Sequence, residues 1–252
     1  MCRHAAFAGA PQPLSALLLD GPHPLARQAC DARELLSGAA CGDGWGVGWL
    51  HGGDVRLVRS ATPAWEAQEQ MGFAREVRAT VAVAAVRNAT VPAPPDPAAC
   101  APFACEGVLL SLNGYLGGFA ALQAAVRARI APDLVPPPSA IDTEHLLRWL
   151  CTLLRDRPMA EALPALVADA LALAAAQRAP AQLNLIAADT AGVWATRAGN
   201  LPRSNSLYTA ERDGTAFVAS EPLWPGDWTP VPAGAVLRLA SGRVTACAAT
   251  AR

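Results

Sequence analysis

The apolar positions of this chain divide it into strands, then helices, then strands again. Early in the chain, short apolar or alternating runs predict strands at residues 4–8, 54–59, 80–86 and 108–112. Apolar residues at helical spacing predict a short helix at residues 13–18 and longer ones at 119–130, 142–155 and 159–177. Short apolar runs then return and predict strands at residues 183–188, 192–196, 216–220, 236–239 and 244–248.

The order of these elements favours one fold class. Strands, helices and strands in succession indicate an α+β layered fold, whereas strict alternation would indicate a parallel βαβ sheet. The glycine-rich stretch 42–49 predicts a turn that feeds a strand, because glycine tolerates positive φ and close backbone approach. The Pro-rich stretches 91–102 and 133–139 are too short to be domain linkers, so we predict one domain over residues 1–252.

Composition and charge exclude several classes of function. The 252 residues are 52% hydrophobic with a net charge of −1, so the chain can form a large core but carries no basic surface for nucleic acid or anionic lipid. The apolar stretch 160–176 contains Glu161, Pro164 and Asp169, which predicts a core helix and not a membrane span. We therefore expect no nucleic-acid or membrane partner. The sequence leaves the oligomeric state open, a homo-oligomer included.

The cysteines do not form the pattern of a disulfide framework or a zinc site. There are seven, irregularly spaced and without a CxxC pair. Most are therefore expected to be small buried hydrophobic residues in a reducing environment, which predicts a cytoplasmic location. A metal site at Cys2 and His4 would have two ligands, fewer than a closed site needs, so we predict no metal.

Cys2 differs from the other cysteines because it follows Met1. Cysteine is small enough for the initiator methionine to be removed, which would leave a thiol and a free α-amine on one residue. Such an amine has a pKa of roughly 7.7–8.0 and can act as the base for its own thiol. Because the thiolate is the reactive form, this arrangement needs no histidine partner. The alternative is a second-position cysteine without a role.

Three further polar positions follow apolar runs, and each has a functional and a purely structural interpretation. Asn113-Gly114 can present two N–H donors as an oxyanion hole, or form an ordinary hairpin turn. Arg87 suits a substrate carboxylate, or an internal ion pair. Asp142 can hold a substrate ammonium, or cap the helix that begins there. Together these groups complement the carboxylate, amine and reacting carbonyl of a γ-glutamyl group.

These residues belong to a series of short motifs by which the chain resembles the class II glutamine amidotransferase family, whose members carry an N-terminal nucleophile. Within that family it resembles the branch that hydrolyses γ-glutamyl hercynylcysteine S-oxide in ergothioneine biosynthesis. The motifs fall in one order over almost the whole chain: Met1-Cys2-Arg3-His4, Asp43-Gly44-Trp45-Gly46, Val86-Arg87-Asn88-Ala89-Thr90, Ala101-Pro102-Phe103, Asn113-Gly114, Asp142-Thr143-Glu144, Leu183-Asn184-Leu185 and Ala219-Ser220-Glu221-Pro222.

The resemblance implies a four-layer αββα sandwich and hydrolysis of a γ-glutamyl amide through a thioester, with no metal and no organic cofactor. It implies Cys2 as the nucleophile and Asn113 with Gly114 as the oxyanion pair. It further implies Arg87 as the ligand of the glutamyl carboxylate, and Asp142 with the adjacent Thr143 on the side of the glutamyl amine.

Other positions concern the leaving half of the substrate, where the resemblance implies a trimethylammonium group. Such cations bind over aromatic faces, which makes Trp45, Trp224 and Trp228 candidates for contact, unless they are ordinary core or rim tryptophans. The chain also departs from the family. Leu112 replaces a usual His, Cys41-Gly42 replaces a frequent Asn-Ala pair, and residues 223–228 replace an acidic stretch.

Two rival functions remain open at this point. One is a glutaminase that passes ammonia to a partner synthase. The other is a non-catalytic member of the fold that binds a metabolite, which the survival of Cys2, Arg87, Asn113 and Asp142 disfavours.

Overall fold

The structure is a computed structural model that describes residues 2–36, 38, 40–89, 95–138 and 141–247. Met1, Thr90, parts of both Pro-rich stretches and the last residue of the final predicted strand lie outside these ranges. The helices are α1 (Ser15–Leu18), α2 (Leu25–Asp31), α3 (Phe119–Arg127), α4 (Asp142–Leu154) and α5 (Met159–Ala176). The strands are β1 (Arg3–Pro13), β2 (Trp45–His51), β3 (Asp54–Ser60), β4 (Arg78–Val86), β5 (Phe103–Cys105), β6 (Val108–Leu116), β7 (Ala181–Asp189), β8 (Gly192–Arg197), β9 (Tyr208–Arg212), β10 (Thr215–Ala219), β11 (Thr229–Pro230), β12 (Ala235–Ala240) and β13 (Arg243–Ala246).

The strands form two sheets. A seven-stranded sheet has the order β11-β9-β10-β1-β4-β2-β3, and a six-stranded sheet has the order β13-β12-β8-β7-β6-β5. Neighbouring strands pair antiparallel throughout. The first strand of the chain therefore lies in the interior of the larger sheet, between β10 and β4. The residues that follow Cys2 are therefore paired with a neighbouring strand on each side, β10 and β4.

The alternation of side chains along β1 shows how the layers are built. Ala5 and Phe7 pack in a core with residues of α1 and α2, whereas Ala6 and Ala8 pack between the two sheets. A third core lies between the smaller sheet and helices α3, α4 and α5. The layers thus run helix, sheet, sheet, helix, and the predicted α+β fold with a four-layer αββα sandwich is confirmed.

Two predictions of local structure were wrong. The glycine-rich stretch, predicted as a turn, is already a strand from Trp45 onward. Its glycines at 46 and 48 are required because a side chain there would collide with Ala101 or Leu109. The strand predicted to end at Leu112 continues through Asn113-Gly114 to Leu116, which rules out the alternative of a hairpin turn at this pair. These residues therefore lie inside a sheet, where their backbone is fixed by neighbouring strands.

Helix α5 was predicted as a core helix, and this is confirmed because its residues belong to the core between the smaller sheet and helices α3, α4 and α5. It is the one helix among the described residues that is long and apolar enough to cross a membrane, with a mean hydropathy of 1.6. Its buried face, which includes Leu163, Leu166 and Val167, packs against the smaller sheet with the rest of the helical layer. Length and composition alone therefore do not make it a membrane span.

Acid is expected to destabilise the protein through His4. This residue is fully buried, and burial together with the neighbouring Arg3 lowers its pKa from 6.5 to about 3. Below pH 6.5 the imidazole of His4 is protonated in the unfolded chain but stays neutral in the folded chain down to about pH 3. The contribution of His4 to stability is therefore complete above pH 6.5 and is lost as the pH falls towards 3. We expect the free energy of unfolding to fall by up to about 1.4 kcal/mol per pH unit in this window. Urea denaturation between pH 7 and 4 measures it.

The matched variants for this prediction are His4→Gln and His51→Gln. His51 is exposed at the end of β2, so its replacement should leave the pH dependence unchanged. His4→Gln should flatten it, although the variant loses the contact between the imidazole and Ser111. If the free energy of unfolding fell equally steeply with pH in His4→Gln and in wild type, the acid sensitivity would belong to other groups.

Candidate active site

A cavity of about 590 Å³ lies where β1, β4 and β6 approach the start of α4. Its wall includes Cys2, Arg87, Gly114, Asp142 and Thr143. These residues come from four separate parts of the chain, and the fold brings them to one place. Of the predicted site residues, Asn113 lies next to this wall and Trp45 lies elsewhere.

Cys2 immediately precedes β1, and its thiol contacts the backbone that follows β4. The N–H of Asn88 donates to Sγ at 3.4 Å, and the thiol reaches the Asn88 carbonyl at 3.6 Å. A backbone N–H that points at sulfur stabilises the thiolate by the same charge–dipole interaction that stabilises other anions. The segment after β4 therefore contributes to the environment of the thiol as well as to the cavity wall.

Two other thiols interact electrostatically with Cys2 but are unsuited to act as nucleophiles. Burial raises the pKa of Cys41 to about 12 and that of Cys100 to about 11. Both therefore remain protonated near neutral pH, and neither lines the cavity. Cys2 is partly exposed and lines it.

Asp43 holds the segment that carries Arg87. The N–H of Asp43 donates to the Arg87 carbonyl at 3.0 Å, and its carboxylate accepts from the N–H of Ala89 at 2.7 Å. The N–H of Arg87 in turn donates to Gly44 at 2.8 Å. The sequence motif Asp43-Gly44 thus fixes residues 87–89, a role that the sequence interpretation had not assigned.

Arg87 brings a positive charge to the cavity without a carboxylate to balance it. Its side chain makes no ion pair with the described residues, and Nη1 is buried without a hydrogen-bond partner there. A buried guanidinium N–H without a partner costs free energy unless a ligand or water satisfies it. This observation disfavours the internal ion pair and favours a bound anion.

Asp142 brings the opposite charge. Its carboxylate accepts hydrogen bonds from the N–H of Leu116 at 3.1 Å and from the N–H of Thr143 at 2.7 Å. Burial raises the pKa of this carboxyl above its usual range, although these hydrogen bonds act against the shift. Asp142 is the first residue of α4, and Ile141 occupies the N-cap position. A cation in the cavity would offset the cost of burying the ionised carboxylate.

Asn113 is completely buried between the sheets, beside the cavity wall. Its amide nitrogen donates to Ser220 Oγ at 3.1 Å, and its side-chain oxygen accepts from Asn205 at 3.1 Å. The two partners fix the amide plane and leave the second amide hydrogen for another acceptor. At the next position a side chain on Gly114 would collide with the carbonyl of Gln182, so only glycine fits.

The tryptophans predicted to contact substrate do not line this cavity. Trp45 is 1% exposed and packs in the core beneath the larger sheet. Trp224 contacts Trp228 with ring centroids 4.7 Å apart and ring planes tilted by 56°, and it lines two other surface grooves. The aromatic rings in the cavity wall are instead Phe103, Tyr115 and Phe119.

A buried ionic cluster holds the strand that follows Cys2. Arg3 is completely buried, and its guanidinium lies 3.5 Å from the carboxylate of Glu221. The same carboxylate contacts His23 at 2.9 Å and accepts from the N–H of Arg33 at 2.9 Å. Arg3 and Ser220-Glu221 thus position the start of β1 and Asn113. These residues are far apart along the chain, so no local sequence pattern predicts their contacts.

Comparisons with known proteins agree with this geometry. The gamma-glutamyl-hercynylcysteine sulfoxide hydrolase of Mycolicibacterium smegmatis is 32% identical over 236 residues, which cover 92% of this chain and 92% of that protein. A glutamine aminotransferase class-II domain protein from Silicibacter pomeroyi superposes with a TM-score of 0.73 at 21% identity, over 100% of both chains. The glutamine phosphoribosylpyrophosphate amidotransferase of B. subtilis does so with a TM-score of 0.67 at 14% identity, over 99% of this chain and 49% of that one.

The two kinds of likeness support different conclusions. No family model matches the chain. The solved structures show the fold, that of the class II glutamine amidotransferases. The sequence relative spans nearly the whole length of both proteins and is a named hydrolase. On that ground, the chain belongs to the family of the gamma-glutamyl-hercynylcysteine sulfoxide hydrolases.

Proposed function

We propose that the protein hydrolyses a γ-glutamyl amide, with Cys2 as the N-terminal nucleophile after removal of Met1. The observation that carries the proposal is one cavity lined by a thiol, an unbalanced guanidinium and a buried carboxylate. A γ-glutamyl group has an α-carboxylate, an α-ammonium and a reacting carbonyl. Arg87 pairs with the first and Asp142 with the second, because each offers the charge that its partner lacks.

The chemistry proceeds by acyl transfer to sulfur. The α-amine of the processed Cys2 takes the thiol proton, and the thiolate attacks the γ-carbonyl carbon. Asn113 Nδ2 and the N–H of Gly114 donate to the oxyanion that forms. The C–N bond then breaks as the amine returns the proton to the leaving nitrogen. Water attacks the resulting thioester, releases glutamate and regenerates the thiol.

The leaving half of the substrate meets an apolar and aromatic surface. A volume of about 590 Å³ is far more than the side chain of glutamine requires. Phe103, Tyr115 and Phe119 offer ring surfaces, which suit an imidazole or a quaternary ammonium. These properties favour γ-glutamyl-hercynylcysteine sulfoxide, the substrate that the name of the mycobacterial relative gives, over glutamine.

Glutamate release by the purified chain tests the proposal. We expect kcat/KM for γ-glutamyl-hercynylcysteine sulfoxide to exceed that for glutamine by at least roughly 10-fold, because the larger amide fills the apolar part of the cavity. Replacement of Leu112, which lines the cavity, by His should leave measurable hydrolysis. A preference for glutamine would instead indicate an ammonia-supplying glutaminase, and failure to release glutamate from either would indicate a non-catalytic binding protein.

The pH dependence of hydrolysis should report Asp142. Binding of the substrate ammonium requires the ionised carboxylate, and burial raises the pKa of this group above the ordinary value of 3.8. As pH falls, kcat/KM should therefore decline at a higher pH than an ordinary carboxyl would cause. Asp142→Asn should lower kcat/KM by roughly 10–10³-fold and remove this acid limb.

Glu144→Gln is the matched control for this profile. Glu144 lies in the same helical turn but pairs with Arg148 at 3.4 Å, outside the cavity wall. Its replacement should keep both the rate and the acid limb. An acid limb that persists in Asp142→Asn would assign the titration to another group.

A further inference from the structure

Two cysteines that do not line the large cavity lie next to each other. Cys105 ends β5, and Cys151 lies in the third turn of α4. The Cys151 thiol donates to the Cys105 carbonyl at 3.4 Å, which brings the two residues next to each other. Both residues belong to the core between the smaller sheet and its helices.

The surroundings of this pair favour reaction at Cys105. The neighbouring Cys151 thiol lowers the pKa of the Cys105 thiol, burial opposes the shift, and the nearby Arg148 supports it. The same interaction raises the pKa of Cys151. Arg148 Nε is buried without a hydrogen-bond partner among the described residues, so a thiolate beside it would find a cationic neighbour. The pair thus consists of a more acidic thiol and a protonated neighbour.

A small cavity beside the pair exposes Cys151 to a small oxidant. It has a volume of about 170 Å³ and is lined by Glu106, Val108, Cys151, Leu154 and Arg155. Cys105 itself is 9% exposed. Hydrogen peroxide is small enough for such a space, whereas a bulky disulfide is not.

We propose that Cys105 and Cys151 form an oxidisable dithiol, which hydrogen peroxide converts to a disulfide that joins β5 to α4. The Cys105 thiolate attacks one peroxide oxygen, which gives a sulfenic acid and hydroxide. Cys151 sulfur then displaces the sulfenic oxygen, and its proton leaves with that oxygen as water. Two thiols are oxidised by two electrons, and one peroxide is reduced to water and hydroxide.

The crosslink connects two elements that border the large cavity. Helix α4 begins at Asp142, and β5 begins at Phe103. The bond would close a chain segment with a sequence separation of 46 residues, which lowers the entropy of the unfolded state. We expect the thermal midpoint of unfolding to rise by roughly 5–10 °C.

Peptide mapping of the peroxide-treated Cys2→Ala protein without reduction tests the proposal, because this background removes the catalytic thiol from the reaction. The expected product is a linked peptide pair that contains Cys105 and Cys151, together with a rise in Tm that a thiol reductant reverses. Cys151→Ala in the same background should abolish both effects. Cys30→Ala, which removes an exposed cysteine of α2, should keep both.

Two results would overturn the assignment. In the first, Cys105 and Cys151 remain thiols after peroxide treatment, or are oxidised to sulfinic acid without forming a linkage. The second is a linkage between different cysteines, with the Tm rise retained in Cys151→Ala. The mapping of Cys2→Ala decides the question even where Cys151→Ala does not fold. The outcome is independent of the hydrolytic reaction, since none of these measurements uses a γ-glutamyl substrate.

Discussion

Replacing Cys2 with alanine is expected to abolish release of glutamate from γ-glutamyl amides. The variant lacks the sulfur that forms the thioester, while its neighbours Asn88 and Arg3 keep their backbone positions in and beside the larger sheet. Loss of a nucleophile costs on the order of 10⁴–10⁶-fold in kcat where this has been measured in hydrolases. A continuous assay of glutamate release, with Tm as the measure of folding, checks the result.

Cys30→Ala provides the matched control for loss of a thiol. Cys30 is exposed at the end of α2 and does not line the cavity, so full activity is expected. Intact mass of the active wild type should show a chain that begins at Cys2. Glutamate release at the wild-type rate by Cys2→Ala, or by a chain that keeps Met1, would refute the N-terminal mechanism.

Elements with strong local patterns could be predicted from the sequence, and elements without such a pattern could not. Residues 80–86 are apolar and rich in β-branched side chains, and they form β4 as expected. Helix α2 and strands β5 and β9 were missed because their own residues show no strong apolar pattern. Their structure depends on partners far away in the chain, such as β10 beside β9.

The same division separates the parts of the site that could be predicted from those that could not. Cys2, Arg87 and Asp142 could be recognised because each lies in a short motif, and the structure brings them to one cavity. The contacts that hold them link distant residues, as with Asn88 and Cys2, which are 86 positions apart. No local pattern encodes such a pairing, so it appears only when the strands are assembled.

Trp45 shows why a motif alone does not decide which of its residues line the cavity. Side chains alternate between the two faces of a strand, and the motif alone does not reveal which face borders the cavity. In β2, Trp45 and Val47 face the helical layer, whereas positions 46 and 48 approach Ala101 and Leu109. A shift of one residue therefore decides between core and neighbouring sheet.

Arg87→Met is expected to lower kcat/KM for a γ-glutamyl amide by roughly 10²–10³-fold. The substitution keeps an apolar chain of similar length but removes the guanidinium, so the α-carboxylate of the substrate enters the cavity unpaired. Removing one partner of a buried charge pair costs about 2–5 kcal/mol, and about 1.36 kcal/mol corresponds to 10-fold. Arg87→Lys should retain part of the rate, because it keeps the charge but loses the two parallel hydrogen bonds.

A substrate without the α-carboxylate separates this role from a structural one. The corresponding 4-aminobutyryl amide offers nothing for the guanidinium to bind, so wild type and Arg87→Met should hydrolyse it at similar, low rates. If Arg87 instead acted by holding residues 87–89 in place, both substrates would lose rate equally, since Asn88 would no longer support the Cys2 sulfur. The backbone contacts of Arg87 to Asp43 and Gly44 do not involve its side chain, and they make the first outcome the expected one.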